Sequence, residues 1–117
     1  NGWGSAASPV LYGDLVFIHA SVESSTLFAF DRKTGKEKWK AGGIDNAWNT
    51  PVVVKNKGGK DELIVAMQGR GSAKVLSFDP NTGESLWSCD TDIGWYMVPS
   101  VVAHDGVVYV LGGRSGT

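Results

Sequence analysis

Cysteine occurs once in the 117 residues, at Cys89, so the chain closes no internal disulfide. A lone thiol of this kind is expected to sit as a small residue at least half-buried in a core. Histidine is nearly as scarce. His19 and His104 stand far apart, without a Cys or carboxylate cluster at metal-ligand spacing, and His104 is expected in an exposed hairpin turn. No Ser/His/Asp set can be assembled, which leaves a hydrolase without support. No apolar run approaches the ~20 residues of a membrane-spanning helix, and no charged start followed by an apolar core resembles a signal peptide. Charge of one sign is lacking too: 11 basic and 12 acidic residues leave a net charge of -1. Without a basic stripe, nucleic acid is excluded as a partner. Asn1-Gly2-Trp3 is not a natural translation start, and both ends are expected to continue into a longer chain.

What the chain does have is glycine (16), tryptophan (5) and a 42% hydrophobic content, enough for a folded core. Glycine-rich sequence with abundant Val, Thr, Phe and Trp and few helix-length runs predicts short strands joined by tight turns. An internal repeat organises them. Phe28-Ala29-Phe30-Asp31-Arg32-Lys33-Thr34-Gly35-Lys36-Glu37-Lys38-Trp39 returns as Leu76-Ser77-Phe78-Asp79-Pro80-Asn81-Thr82-Gly83-Glu84-Ser85-Leu86-Trp87, at an offset of 48. A second marker is a proline that opens a valine-rich strand, at Pro9, Pro51 and Pro99, with spacings of 42 and 48. Two independent markers thus share one period.

Each unit reads as four antiparallel strands. Strand A starts at the proline, which tolerates the loss of a ladder donor there. Strand B is Leu15–Ile18, Leu63–Met67 and Val107–Leu111; strand C is Thr26–Phe30 and Lys74–Phe78; strand D is Lys36–Lys40 and Glu84–Ser88. Asp-Gly at 105–106 is a hairpin signal. In Asp-x-x-Thr-Gly, which joins C to D, the aspartate can accept from amides ahead of it and the glycine can take the left-handed position. Units of 42–48 residues with four strands match the blades of a β-propeller. A single blade cannot bury its apolar side chains alone, so neighbours must stack. The expected fold is all-β: a partial propeller with blade one at about 9–41, blade two at about 51–90, and the first half of blade three at about 98–112. A closed ring takes about 4–8 blades, so the remaining blades of the same propeller are the first expected partner.

The motif at Ala29, Asp31, Thr34, Gly35 and Trp39 resembles the tryptophan-docking repeat of the pyrroloquinoline quinone (PQQ) type, and its second copy is Ser77, Asp79, Thr82, Gly83 and Trp87. The resemblance covers essentially the whole chain. It implies that Trp39 and Trp87 dock against the neighbouring blade. Such repeats occur in quinoprotein dehydrogenases, in BamB-like lipoproteins of outer-membrane protein assembly, and in bacterial secreted proteins without a known cofactor. A periplasmic or extracellular location and possible protein partners follow from the resemblance alone. The dehydrogenases carry a vicinal disulfide, a stacking tryptophan, and acidic and amide ligands for calcium. With one cysteine and no adjacent pair, the disulfide is missing here, so PQQ with calcium is not evident in this segment.

Topology gathers the candidate site. In an up-and-down blade the D–A and B–C loops share one face, and the A–B and C–D loops the other. Trp48-Asn49 and Trp95-Tyr96 precede strand A, and Arg70 and Arg114 occupy equivalent positions after strand B. Aromatic rings and arginines on one mouth would stack and hydrogen-bond a flat or anionic ligand; equally, the rings would plug gaps between blades while the arginines tie loops. Asp90-x-Asp92-x-Gly94 lacks the further ligands of a calcium loop. Gly69-x-Gly71 lies between strands and not before a helix, unlike a phosphate loop. No metal site is expected. The basic run from Arg32 to Lys40 suits an outer strand, where charge discourages edge-to-edge pairing. These features point to a non-catalytic scaffold for a protein or small ligand, the alternative being part of a PQQ-dependent oxidoreductase with its catalytic residues outside the segment.

Overall fold

The computed structural model describes residues 2–69 and 71–113. The first four-stranded sheet runs β1 (Val10–Tyr12), β2 (Leu15–Ala20), β3 (Thr26–Asp31) and β4 (Glu37–Gly42), with a helical turn α1 (Ser21–Ser24) between β2 and β3. The second contains β5 (Val52–Lys55), β6 (Asp61–Gln68), β7 (Ala73–Phe78) and β8 (Ser85–Asp90), and β9 (Val102–His104) pairs with β10 (Val107–Tyr109). Within each sheet the strands follow chain order and every pair is antiparallel. This is the all-β partial propeller that the repeat predicts. Two details differ. The ladders begin past each proline: at Val10 and Val52 directly after it, as suits a residue with no amide hydrogen, and at Val102 three residues after Pro99. The turn α1 spans only four residues and ends at Ser25 in the left-handed region, with φ 52°.

Local chemistry makes the two complete blades alike. Asp31 Oδ1 accepts the amides of Lys33 and Thr34, both at 2.9 Å, and Gly35 closes the turn at φ 72°. Asp79 Oδ1 accepts those of Asn81 and Thr82 at 2.7 and 3.3 Å, and Gly83 closes at φ 73°. Both β3–β4 and β7–β8 shift register at the same repeat position, between Ala29 and Phe30 and between Ser77 and Phe78.

Packing explains why the middle blade is the most apolar. Along β6, Leu63, Val65 and Met67 join Phe17, Leu27, Trp39 and Phe78 in a core between the first two sheets. The alternate residues Ile64 and Ala66 join Val75, Met97 and Val101 in a second core toward the third unit. Successive side chains of a strand point to opposite faces, so a strand with both faces covered reads as an unbroken apolar run. On β4, by contrast, only Trp39 is buried while Glu37, Lys38 and Lys40 are exposed. Strand β8 is exposed along its length, and Cys89 with it. The expectation of a half-buried thiol is therefore wrong: among the described residues, nothing covers the side of β8 on which Cys89 lies.

Trp39 bridges the blades. Its ring is 8% exposed and stands 5.5 Å from that of Phe17, and Nε1 donates to the Pro80 carbonyl, in the C–D turn of blade two, at 3.0 Å. A Cβ placed on Gly83 would lie 2.4 Å from Trp39 Cε3, so the indole rests directly on that glycine. Trp87 is 37% exposed and donates to Glu62 Oε2 of its own sheet at 2.9 Å. The third unit has only β9 and β10 among the described residues, and so presents no C–D turn to Trp87 there.

Candidate functional site

The connections that lead from one blade into the next are stitched together. Ala47 and Met97 form a parallel bridge, and Trp48 N donates to Met97 O at 3.2 Å. Ser8 N donates to Thr50 Oγ1 and Thr50 N to Ser100 Oγ, each at 2.9 Å. The entries to three successive strands A are thereby held side by side.

Against this belt lies a cavity of about 320 Å³, lined by Trp3, Ala6, Trp48, Tyr96 and Val98. Ala6, Trp48 and Tyr96 each stand three residues before a strand-A proline, at Pro9, Pro51 and Pro99. One repeat position thus lines the cavity three times, with alanine leaving room in the first unit. The rings of Trp48 and Tyr96 meet edge to face, 5.4 Å apart at 77°, an arrangement favoured by the aromatic quadrupole. Trp48 Nε1 donates to Gly4 O at 3.1 Å, which fixes the indole and leaves its faces for contact. Trp95, at φ 68°, is half-exposed, with its ring 6.2 Å from that of Tyr96. The predicted Trp48 and Tyr96 therefore meet at one site. Trp3, Ala6 and Val98 were not among the candidates, although the spacing to proline identifies Ala6. Arg70 and Arg114 lie outside the described residues.

Asn49 is placed differently from the ligand-facing role that the sequence suggests. It is 1% exposed; Nδ2 donates to the carbonyls of Ala66 and Met97, and Oδ1 accepts the Ala66 amide at 3.2 Å. Its carboxamide completes backbone hydrogen bonds in two units, so Asn49 braces the cavity's support and does not line the cavity. The Asn49 carbonyl also meets His19 Nδ1 at 3.1 Å. A carbonyl only accepts, so Nδ1 carries the proton and the buried Nε2 is left without a partner. Burial pushes the His19 pKa below the usual histidine value, outweighing the Asn49 carbonyl, which favours the cation. The unfolded chain takes up this proton more readily, so neutral His19 contributes its full stability above about pH 6.5 and loses it as the pH falls further. The melting temperature is thus expected to drop between pH 7.5 and 5.5. His19→Ala, which installs the residue found at the ladder-equivalent Ala66 of blade two, should show a smaller drop. Equal drops would exclude His19 as the source.

On the opposite face a recess of about 420 Å³ is lined by Tyr12, Asp61, Glu62, Asp79 and Asn81, among others. Tyr12 of blade one donates to Asp61 Oδ2 of blade two at 2.9 Å, while Lys55 pairs with Asp61 Oδ1 at 2.9 Å. Lys55 and then Tyr12 hold the Asp61 pKa down, and the Asp61 partner raises that of Tyr12. At Glu62 burial opposes the charge, but donors from Asn56, Trp87 and Ser77 together outweigh it and lower the pKa. These carboxylates are committed to tying blades and turns together. Asp90 is similarly engaged with Lys74 at 2.6 Å. His104 ends β9, exposed beside the Asp105-Gly106 turn.

No protein-family model matches the chain. A curated relative, lupanine 17-hydroxylase [cytochrome c] from a Pseudomonas species, is 35% identical over an alignment of 98 residues that covers 77% of this chain and 13% of the relative. Among solved structures, a europium-containing methanol dehydrogenase aligns with a TM-score of 0.57 at 24% identity, over 72% of this chain and 15% of the other. BamB from Moraxella catarrhalis aligns at 0.58 and 20% identity, over 84% of this chain and 27% of the other. A quinohemoprotein alcohol dehydrogenase from Pseudomonas putida HK5 aligns at 0.55 and 22%, over 71% and 12%. The chain spans a minor part of each protein that it resembles.

Proposed function

We propose that this chain, whose fold is that of consecutive PQQ-type propeller blades, serves as a non-catalytic repeat scaffold that binds a small ring-bearing ligand at the D–A face. The observation that carries this reading is the recurrence of one repeat position, Ala6, Trp48 and Tyr96, around one cavity. Apolar pockets with aromatic walls are the usual form of small-molecule sites. The remaining blades of the same propeller would complete the ring, and a periplasmic or extracellular setting fits the resemblance to quinoprotein and BamB propellers.

The second reading, a segment of an oxidoreductase, is favoured by the hydroxylase relative. The cavity walls are aromatic and aliphatic, Cys89 has no adjacent cysteine, and among the described residues no three His, Cys, Asp or Glu gather as metal ligands. In that reading the cofactor's donors lie outside this segment.

Titration of the full-length protein with cyclohexanol and with indole, followed by ligand-observed NMR, tests the scaffold reading. Saturable binding that Trp48→Ala weakens by about tenfold is expected, the scale of a lost aromatic contact. Binding indifferent to Trp48→Ala would overturn it. Titration with PQQ, with and without calcium, separates the second reading: tight, calcium-dependent binding would favour the oxidoreductase.

A further inference from the structure

The walls of the aromatic cavity carry no described positive charge. Trp3, Trp48 and Tyr96 present rings, and Ala6 and Val98 present aliphatic groups. The π faces of indole and phenol are electron-rich and attract cations, tryptophan most strongly. A carboxylate stands beside the same wall. Glu23 accepts hydrogen bonds from the amide and the hydroxyl of Ser5, which lies between the lining residues Trp3 and Ala6. A Cβ placed on Gly4 would lie 3.5 Å from Glu23 Oε1, so the carboxylate follows this stretch of chain closely. Both Ser5 donors are neutral, so they orient the carboxylate without cancelling its charge. The Ser5 hydrogen bonds also lower the Glu23 pKa, keeping it ionised near neutral pH.

Resting on the pocket reading above, we infer that the ligand of this site is a small organic cation, an aliphatic or cyclic amine whose ammonium group sits over the Trp48 and Tyr96 rings with Glu23 supplying the counter-charge. The aliphatic part of such a ligand fits against Ala6 and Val98. An anionic ring compound would meet π faces and a carboxylate together.

Three probes with one ring and different charges decide the matter on the full-length protein: cyclohexylammonium, cyclohexanol and cyclohexanecarboxylate, measured by calorimetry at pH 7. Cyclohexylammonium should bind about tenfold more tightly than cyclohexanol, within the range of a cation over aromatic faces, and the carboxylate most weakly. Glu23→Gln, which retains an acceptor for Ser5, should shrink the cation's advantage over cyclohexanol. Equal, Trp48-dependent binding of all three would overturn the cation assignment while the ring pocket stands. Tightest binding of the carboxylate would overturn it in favour of the anion mouth suggested by the sequence. Binding of none of them, or binding unaffected by Trp48→Ala, would remove both the cation assignment and the pocket.

Discussion

Replacing Trp39 with alanine is expected to destabilise the intact protein by about 3–5 kcal/mol, the range for truncating a buried large aromatic. Three contacts are lost together. The ring leaves Phe17 and the core between the first two sheets, Nε1 no longer donates to Pro80, and Gly83 loses the surface that rests on it. The Pro80 carbonyl then stays buried beside a cavity, a penalty of its own. Urea unfolding of the full-length protein, compared with the wild type, measures the effect. A change under about 1 kcal/mol would refute the claim that this indole joins the blades.

Gly83→Ala carries the second largest expected effect, and its twin in blade one serves as the control. Gly35 and Gly83 close the same turn at nearly the same backbone angle, φ 72° and 73°. A methyl group at either position suffers the left-handed penalty, about 1–2 kcal/mol. At Gly35 the added Cβ meets nothing within 4 Å, whereas at Gly83 it would lie 2.4 Å from Trp39 Cε3 and 2.7 Å from Cδ2. Overpacking costs typically a further ~1–3 kcal/mol. Gly83→Ala should therefore destabilise by about 2–5 kcal/mol and Gly35→Ala by only the smaller, conformational part. Equal losses at the two glycines would show that the difference in surroundings has no energetic weight.

These paired turns were legible in the sequence because their chemistry is local. An aspartate that accepts amides two and three residues ahead, and a glycine in the left-handed region, need no tertiary context. The strands followed from the repeat. The candidate site was half legible. Trp48 and Tyr96 stand out as large rings before strand A, whereas Ala6 shares their repeat position but carries no chemical signal. Asn49 beside Trp48 reads as a ligand group; only long-range contacts to Ala66 and Met97 reveal its carboxamide as a brace between backbones. Burial of Cys89 depends on which neighbour covers β8, and no local pattern records that. The turn α1, four residues long, is too short for a helical period to register.

The account depends on Trp39 of one blade resting on the C–D turn of the next, and a double-mutant cycle reads that contact most directly. The free-energy cost of Gly83→Ala is measured by denaturant unfolding in the wild type and again with Trp39→Ala present. With the indole gone the new methyl group finds room, so the cost should fall by at least about 1 kcal/mol. The same cost in both backgrounds, within about 0.5 kcal/mol, would mean that the two residues do not touch and that something else holds the blades together.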